Sequence, residues 1–307
     1  MTSDTLFDGY PCDGRVYLVS TLGVQGGFYV CNGEPIYATK IEESVQGSST
    51  TETECLQLKL GTKLKVVEKS CFNKVQWFDM IRLINFQNER ELTAFIDLCT
   101  MHAKGNTTLS FEDFFYSLND LFRPPCKQDF INAIGLYGEL SLIDAVRKSG
   151  IDIDISRYWQ LNGEGSKYDF AFDAGNIEVK TTSFQESKVQ IKHNQLFNED
   201  TNYLACVRVE RVPQGETLEQ LASRLAEDKS CFTNLKSQIE LNRQLLRVNE
   251  KSLGMAYTVR DIRCYFVKDI NFFKKLPDRV QNLKYQLDLT DIAWMDLDET
   301  LDKILLQ

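Results

Sequence analysis

The chain has 307 residues, 43% apolar and 26% charged, with six prolines and 17 glycines, a composition that excludes a low-complexity or disordered chain. That length allows a sizeable buried core in two or three domains, and no run approaches the roughly 18 consecutive apolar residues of a membrane helix. A net charge of -9 discourages nonspecific attraction to a polyanion, so any nucleic-acid contact has to come from a local patch.

Residues 1–75 read as a β-rich N-terminal domain: short apolar or alternating runs at 15–21, 27–31, 55–60 and 63–67 are separated by Gly, Asn and Ser clusters. The segment 44–53, around VQGSSTTET, has no periodicity and reads as an exposed loop. From Trp77 to Gly105 the spacing turns helical, through Phe78, Ile81, Ile84 and Phe86, then Leu92, Phe95, Ile96 and Leu98. Ser110 is the expected N-cap of a helix over 111–122, closed by Pro124-Pro125, so 76–125 reads as a helical connector. A helix over about 128–148, stopped by Gly150, carries Glu139 at its middle.

Strands are then expected at 167–172, 176–182 and 188–191, a helix or turn at 194–197, and an apolar strand at 203–209. This α-β-β-β-α-β run makes 126–212 the core of an α/β (α+β) mixed-sheet fold. The remainder, 213–307, reads as a mixed α/β region: helices at 217–228 and 233–248, strands at 257–267 and 280–287, and a closing helix at 298–306. Neither a repeat nor a low-complexity tract is present.

Nine cysteines are scattered singly without a CxxC pair, the pattern of small buried hydrophobes in a reducing compartment rather than a disulfide framework. The opening MTSDTLFDGYPCDG has no basic and apolar leader pattern, so a cytoplasmic protein without membrane contact is expected. With only His102 and His193, a histidine zinc site is not expected. Charge is uneven: residues 206–285 hold 15 Lys/Arg against 10 Asp/Glu, a balance that fits either nucleic-acid contact or a solvated face. Arg243 and Arg247, four apart on a helix, would form one basic face suited to phosphates.

The chemistry concentrates between Gly135 and Leu196. Asp169 and Glu178 are symmetric about the turn-prone Asp173-Ala174-Gly175, so an antiparallel hairpin would set them opposite each other. Opposed residues share a face at roughly 4.5–5.5 Å between Cα atoms, close enough to ligate one cation. Lys180, two residues on, emerges from the same face, and the Val179 carbonyl can add an oxygen ligand. A hard cation such as Mg²⁺ takes oxygen donors from a few carboxylates, waters and substrate phosphate. It polarises the phosphate and activates a water, while a lysine orients that water and stabilises the charge of the transition state. Glu139 on the preceding helix, beside the stripe of Leu136, Leu140 and Ile143, would complete the shell.

Each residue also has a structural reading. Asp169, Glu178 and Lys180 fit a solvated strand face, and Glu139 fits a solvent-facing helix position. His193 reads as a surface or DNA-facing residue rather than a general base, Trp159 as a packing residue, and Thr181 and Thr182 as β-formers.

The order GLYGEL, YDF, IEVKTT, IKHNQL resembles the PD-(D/E)xK nuclease superfamily, the restriction-endonuclease-like fold. More narrowly it resembles a bacterial family of such proteins from phage-defence and restriction loci, through LFRPP, YTVRDIRCYFV and VQNLKYQLDL over roughly residues 75–290. The resemblance implies Asp169, Glu178 and Glu139 as metal ligands, Lys180 as catalytic lysine, and Gln195 as an active-site glutamine. The motif's usual proline is Tyr168 here.

The expected function is therefore a DNA endonuclease using Mg²⁺ or Mn²⁺ in an anti-phage or restriction system, with DNA, other defence proteins such as an ATPase, and a second copy of the chain as partners. The alternatives are a noncatalytic DNA-binding or scaffolding subunit of a defence complex, and an RNA-processing or small-molecule enzyme on the same fold.

Overall fold

The computed structural model describes residues 6–23, 26–42, 48–68, 71–105, 109–123, 132–159, 167–193, 202–270 and 283–305. The chain divides into two compact units, Met1–Cys126 with Asn234–Leu246, and Lys127–Thr233 with Arg247–Gln307. Among the described residues no helix is long and apolar enough to cross a membrane.

The first unit is built on six strands: β1 (Val16–Leu22), β2 (Gly26–Cys31), β3 (Glu34–Ile41), β4 (Ser49–Glu52), β5 (Leu56–Glu68) and β6 (Cys71–Leu83). They run in the order β1-β2-β3-β6-β5-β4, and β1 also pairs in parallel with β5, which curls the sheet back on itself. Strands β2, β3 and β6 are covered on both faces. Tyr29, Ile36, Ala38, Phe78 and Met80 fill one core. Phe28, Val30, Tyr37, Ile81 and Leu83 pack into another with helices α1 (Glu89–Ala103) and α2 (Phe111–Phe122). Asn88 caps α1, and Ser110 caps α2 by accepting from the Asp113 N–H at 3.1 Å.

Two expectations change here. Trp77 to Leu83 is not helical but the end of β6, hydrogen-bonded to β3 and β5, so the boundary at 75 falls inside a strand. A strand buried on both faces loses its alternation, and Phe78-Asp79-Met80-Ile81 then mimics helical spacing. The loop expected over 44–53 contains β4, a short edge strand of β-prone Ser and Thr paired to β5.

In the second unit, α3 (Ala133–Ser149) starts at the Asn132 cap and stops at Gly150, whose φ of +79° suits a glycine at a helix end. It packs on a four-stranded mixed sheet of order β11-β10-β8-β7. The strands are β7 (Phe170–Phe172), β8 (Gly175–Ser183), β10 (Asn202–Thr217) and β11 (Ala256–Phe266). β10 runs parallel to β8 and antiparallel to β11. Helices α4 (Leu218–Glu227), α6 (Glu250–Leu253) and α7 (Leu297–Leu305) complete this unit, whereas α5 (Leu235–Leu246) belongs to the first. The expected tail domain 213–307 is thus corrected twice. β10 runs through its boundary, because its pairing with β11 continues to Thr217. The apolar side of α5, with Leu235 and Ile239, is buried in the core that α1 and α2 share.

β9 (Lys188–Lys192) leaves the sheet and pairs antiparallel with β12 (Lys284–Asp288). Their inward residues Val189, Ile191 and Leu287 pack on Leu204, Cys206 and Tyr265. The helix expected at 194–197 lies outside the described residues, as does the closing Pro124-Pro125. The order of the remaining elements, α3-β7-β8-β9-β10, is that of an α/β restriction-endonuclease-like core. Seven described cysteines are free thiols; Cys99, Cys206, Cys231 and Cys264 are buried, while Cys12 is exposed.

Candidate active site

The β7–β8 hairpin turns on Asp173-Ala174, with Phe170 paired to Ile177 and Phe172 to Gly175. That register puts Asp169 across from Glu178. Backbone pairing with β7 ends at Ile177, and the next rung is made by a side chain: the Val179 N–H donates to Asp169 Oδ2 at 2.7 Å. The β7 side of β8 is therefore open from Val179 to Ser183, and a cleft of about 820 Å³ lies against it.

Glu178 and Lys180 leave the same face of β8, and the Lys180 ammonium donates to Glu178 Oε1. Glu178 is 1% exposed, and its buried Oε2 has no hydrogen-bond partner among the described residues. Helix α3 reaches the opposite face through Gly138. A Cβ built there would lie 1.9 Å from Thr181 Oγ1, so the backbone approach requires glycine. That approach brings the next residue, Glu139, into the cleft with Asp169, Glu178, Val179 and Lys180. Glu139 Oε2 accepts from the indole N–H of Trp159 at 2.8 Å. The buried Trp159 ring meets Phe232 edge-on, with centroids 5.9 Å apart.

Burial is the main electrostatic fact of the site. It pushes the Glu178 carboxyl up to about 8, with the Asp169 charge adding to it and Lys180 opposing. Burial likewise raises Asp169, against Lys180 and the Val179 N–H. Glu139 is raised by burial first and by the Asp169 charge next, against its hydrogen bond from Trp159. Carboxyl groups crowded in one desolvated cleft lack positive charge.

A divalent cation fits that deficit. The donors are all hard oxygens, and Glu178 Oε2 is a buried acceptor left without a hydrogen-bond partner among the described residues. Among the described residues no three His, Cys, Asp or Glu side chains converge as a ready cage. One oxygen of each carboxylate is already engaged, by Lys180, Val179 and Trp159 in turn. Mg²⁺ does not need a cage, since one or two carboxylates with water and substrate phosphate suffice.

The cleft thus brings together Glu139, Asp169, Glu178, Val179 and Lys180. Gln195 lies outside the described residues. Tyr168, in place of the motif's proline, is buried and its hydroxyl accepts from Asn202 at 3.1 Å. His193 is not a surface residue; at 8% exposure it is buried beside Tyr285, because the ribbon pairing continues through its N–H to the Leu283 carbonyl. The Arg243/Arg247 face does not form. Arg243 is engaged by Asp120 at 2.8 Å and Glu240 at 2.9 Å, and α5 ends before Arg247. Arg208 is bound to Asp261 and Arg260 to Glu210.

Trp159 does more than pack, because its N–H holds Glu139. No sequence signal marks a partner 20 residues away across an irregular segment. Gly138 had a signal, the small residue directly before Glu139 in GLYGEL, but its meaning depends on what faces it.

A family model described as "Putative PD-(D/E)XK family member, (DUF4420)" matches residues 81–290 of the chain. No curated protein and no solved structure matches it.

Proposed function

The chain belongs to this PD-(D/E)XK family, and from that premise we propose that it is a metal-dependent DNA endonuclease hydrolysing phosphodiester bonds in bacterial anti-phage defence. The observation that carries the reading is the hairpin register. It sets Asp169 across from Glu178, with Lys180 on the face of Glu178, at an open cleft that Glu139 enters from α3.

PD-(D/E)XK enzymes generally use divalent metals. Here Glu139, Asp169, Glu178 and the Val179 carbonyl would hold Mg²⁺ or Mn²⁺, which would neutralise the carboxylates and polarise the scissile phosphate. Lys180 is held by Glu178 at the cleft and orients the attacking water while its charge offsets that of the transition state. Asp169 keeps the hairpin closed through the Val179 N–H, and Trp159 fixes the rotamer of Glu139.

Plasmid DNA incubated with the protein and Mg²⁺ or Mn²⁺ should be nicked or linearised, and EDTA should stop it. Lys180→Ala should fold and lose at least about 10²-fold in rate, because the buried Glu178 left behind can take a proton instead of a cation. Undiminished cleavage by Lys180→Ala would sink the assignment.

One observation favours a second reading, a noncatalytic DNA-binding subunit: each carboxylate is already satisfied at one oxygen by the protein itself. Absence of Mg²⁺ binding in calorimetry would select it. The defence setting, an ATPase partner and a homo-oligomer rest on the resemblance to proteins of defence loci, and co-purification from the native operon tests them.

A further inference from the structure

Strands β9 and β12 form a two-stranded antiparallel ribbon with Lys192 opposite Lys284, Gln190 opposite Gln286 and Lys188 opposite Asp288. Strict alternation divides its faces. Val189 and Ile191 are buried on the mixed sheet, while Lys188, Gln190, Lys192, Lys284, Gln286 and Asp288 are exposed together on the other side. That outer face carries three lysines against one aspartate, in a chain whose net charge is -9. Lys188, Gln190 and Gln286 also line the cleft that holds Asp169, Glu178 and Lys180.

Resting on the nuclease reading, we infer that this ribbon enters the major groove of duplex DNA and reads base edges beside the scissile phosphate. Gln190 and Gln286 contact adenine, and Lys188 and Lys284 contact the backbone. The dimensions agree. Two strands about 4.8 Å apart fit a groove about 12 Å wide, which admits a β-ribbon. Five residues at about 3.3 Å each reach along roughly four to five base pairs. The chemistry agrees as well, since glutamine pairs in bidentate fashion with adenine N6 and N7. An opposed pair of glutamines presents two such readers side by side. Double-stranded RNA is the poorer ligand, because its deep, narrow major groove closes to side chains.

The test is binding, read in EDTA so that it depends on neither metal nor cleavage. The full-length protein is incubated with short DNA duplexes randomised at the centre, and bound molecules are sequenced. Affinities for a selected duplex, for single-stranded DNA and for double-stranded RNA are then measured over a salt series. An enriched site containing adenine, and preference for duplex DNA over RNA, are expected. Gln190→Ala with Gln286→Ala should lower discrimination at those adenines about 5- to 150-fold, with an unchanged melting temperature because both side chains are exposed. Lys188→Ala with Lys284→Ala should weaken all sequences alike and reduce the salt slope by about one per lysine. No enriched site, equal binding of double-stranded RNA, or full adenine preference in the glutamine variant would each overturn the inference while leaving the nuclease assignment standing. Ribbon-dependent DNA binding by a protein that never cleaves would support the inference and remove the nuclease assignment alone.

Discussion

Replacing Gly138 by alanine separates the placement of the candidate active site from the stability of the fold. The new Cβ would lie 1.9 Å from Thr181 Oγ1 and 3.1 Å from Thr181 Cβ. Rotating the threonine hydroxyl away relieves the first contact but not the second, so α3 must draw back from β8. Overpacking of this kind costs about 1–3 kcal/mol. Removing a glycine from a helix interior returns about 1 kcal/mol. The net loss is therefore about 1 kcal/mol, a fall in melting temperature of about 2–4 °C for a domain of this size. Activity should suffer far more, because Glu139 is the next residue and moves with the helix. A misplacement of about 1 Å at a reacting centre costs about 10²-fold. Thr181→Ala in the same chain removes Oγ1 and Cγ2 but keeps the Cβ contact, so it should restore part of the loss, with a coupling energy of about 0.5 kcal/mol in the double-mutant cycle. Calorimetric unfolding and the plasmid assay measure the two effects. A Gly138→Ala protein with wild-type melting and wild-type cleavage would refute the close helix–strand approach as the device that delivers Glu139.

Trp159→Phe keeps the ring against Phe232 but removes the N–H that holds Glu139 at 2.8 Å; metal affinity by calorimetric titration should drop about 10- to 100-fold, and an unchanged affinity would deny the indole that role. Saturating Mg²⁺ at about 100 times its dissociation constant should stabilise the protein by about 2.7 kcal/mol; in Glu178→Gln the thermal shift should vanish, and its persistence would move the metal elsewhere. Arg243→Ala strips the cation from Asp120 and from the buried Glu240, so stability should fall by about 2 kcal/mol with no change in the salt slope of DNA binding; a smaller slope would restore Arg243 as a phosphate contact. Asp144 is buried on α3, within 2.6 Å of both Arg224 and Lys148 and 3.0 Å of Arg147. Burial pushes its carboxyl up, but the hydrogen bonds from Arg224, Lys148 and Arg147 outweigh it and hold the group well below the usual range. Its contribution is thus complete above about pH 4, the unfolded value, and is lost as pH falls below that. Asp144→Asn should remove about 2–3 kcal/mol at neutral pH, less than for a fully buried pair because its partners reach solvent. It should also flatten the acid limb of stability against pH in urea unfolding; an acid limb identical to wild type would refute the linkage.

The sequence by itself determined the local parts of this protein. Ser110 before a helix, Gly150 after one, and a two-residue turn centred between Asp169 and Glu178 each act through their own backbone neighbourhood, so their consequences are legible in order. The face shared by Glu178 and Lys180 follows from strand alternation alone. Tertiary structure decided the rest, because it depends on partners distant in sequence. Burial on both faces made Trp77 to Leu83 a strand, since a segment covered twice shows no period to read. Pairing of β9 with β12, nearly a hundred residues away, set the exposed Lys and Gln on one face and buried His193. Arg243 became a structural cation only once Asp120 lay beside it. Glu139 entered the cleft because Gly138 meets Thr181 without a side chain between them, and Trp159 holds it there by a single N–H. Composition and spacing specify which groups a chain carries. Only close packing, where a gap of one methyl group is the difference between contact and clash, specifies which of those groups meet.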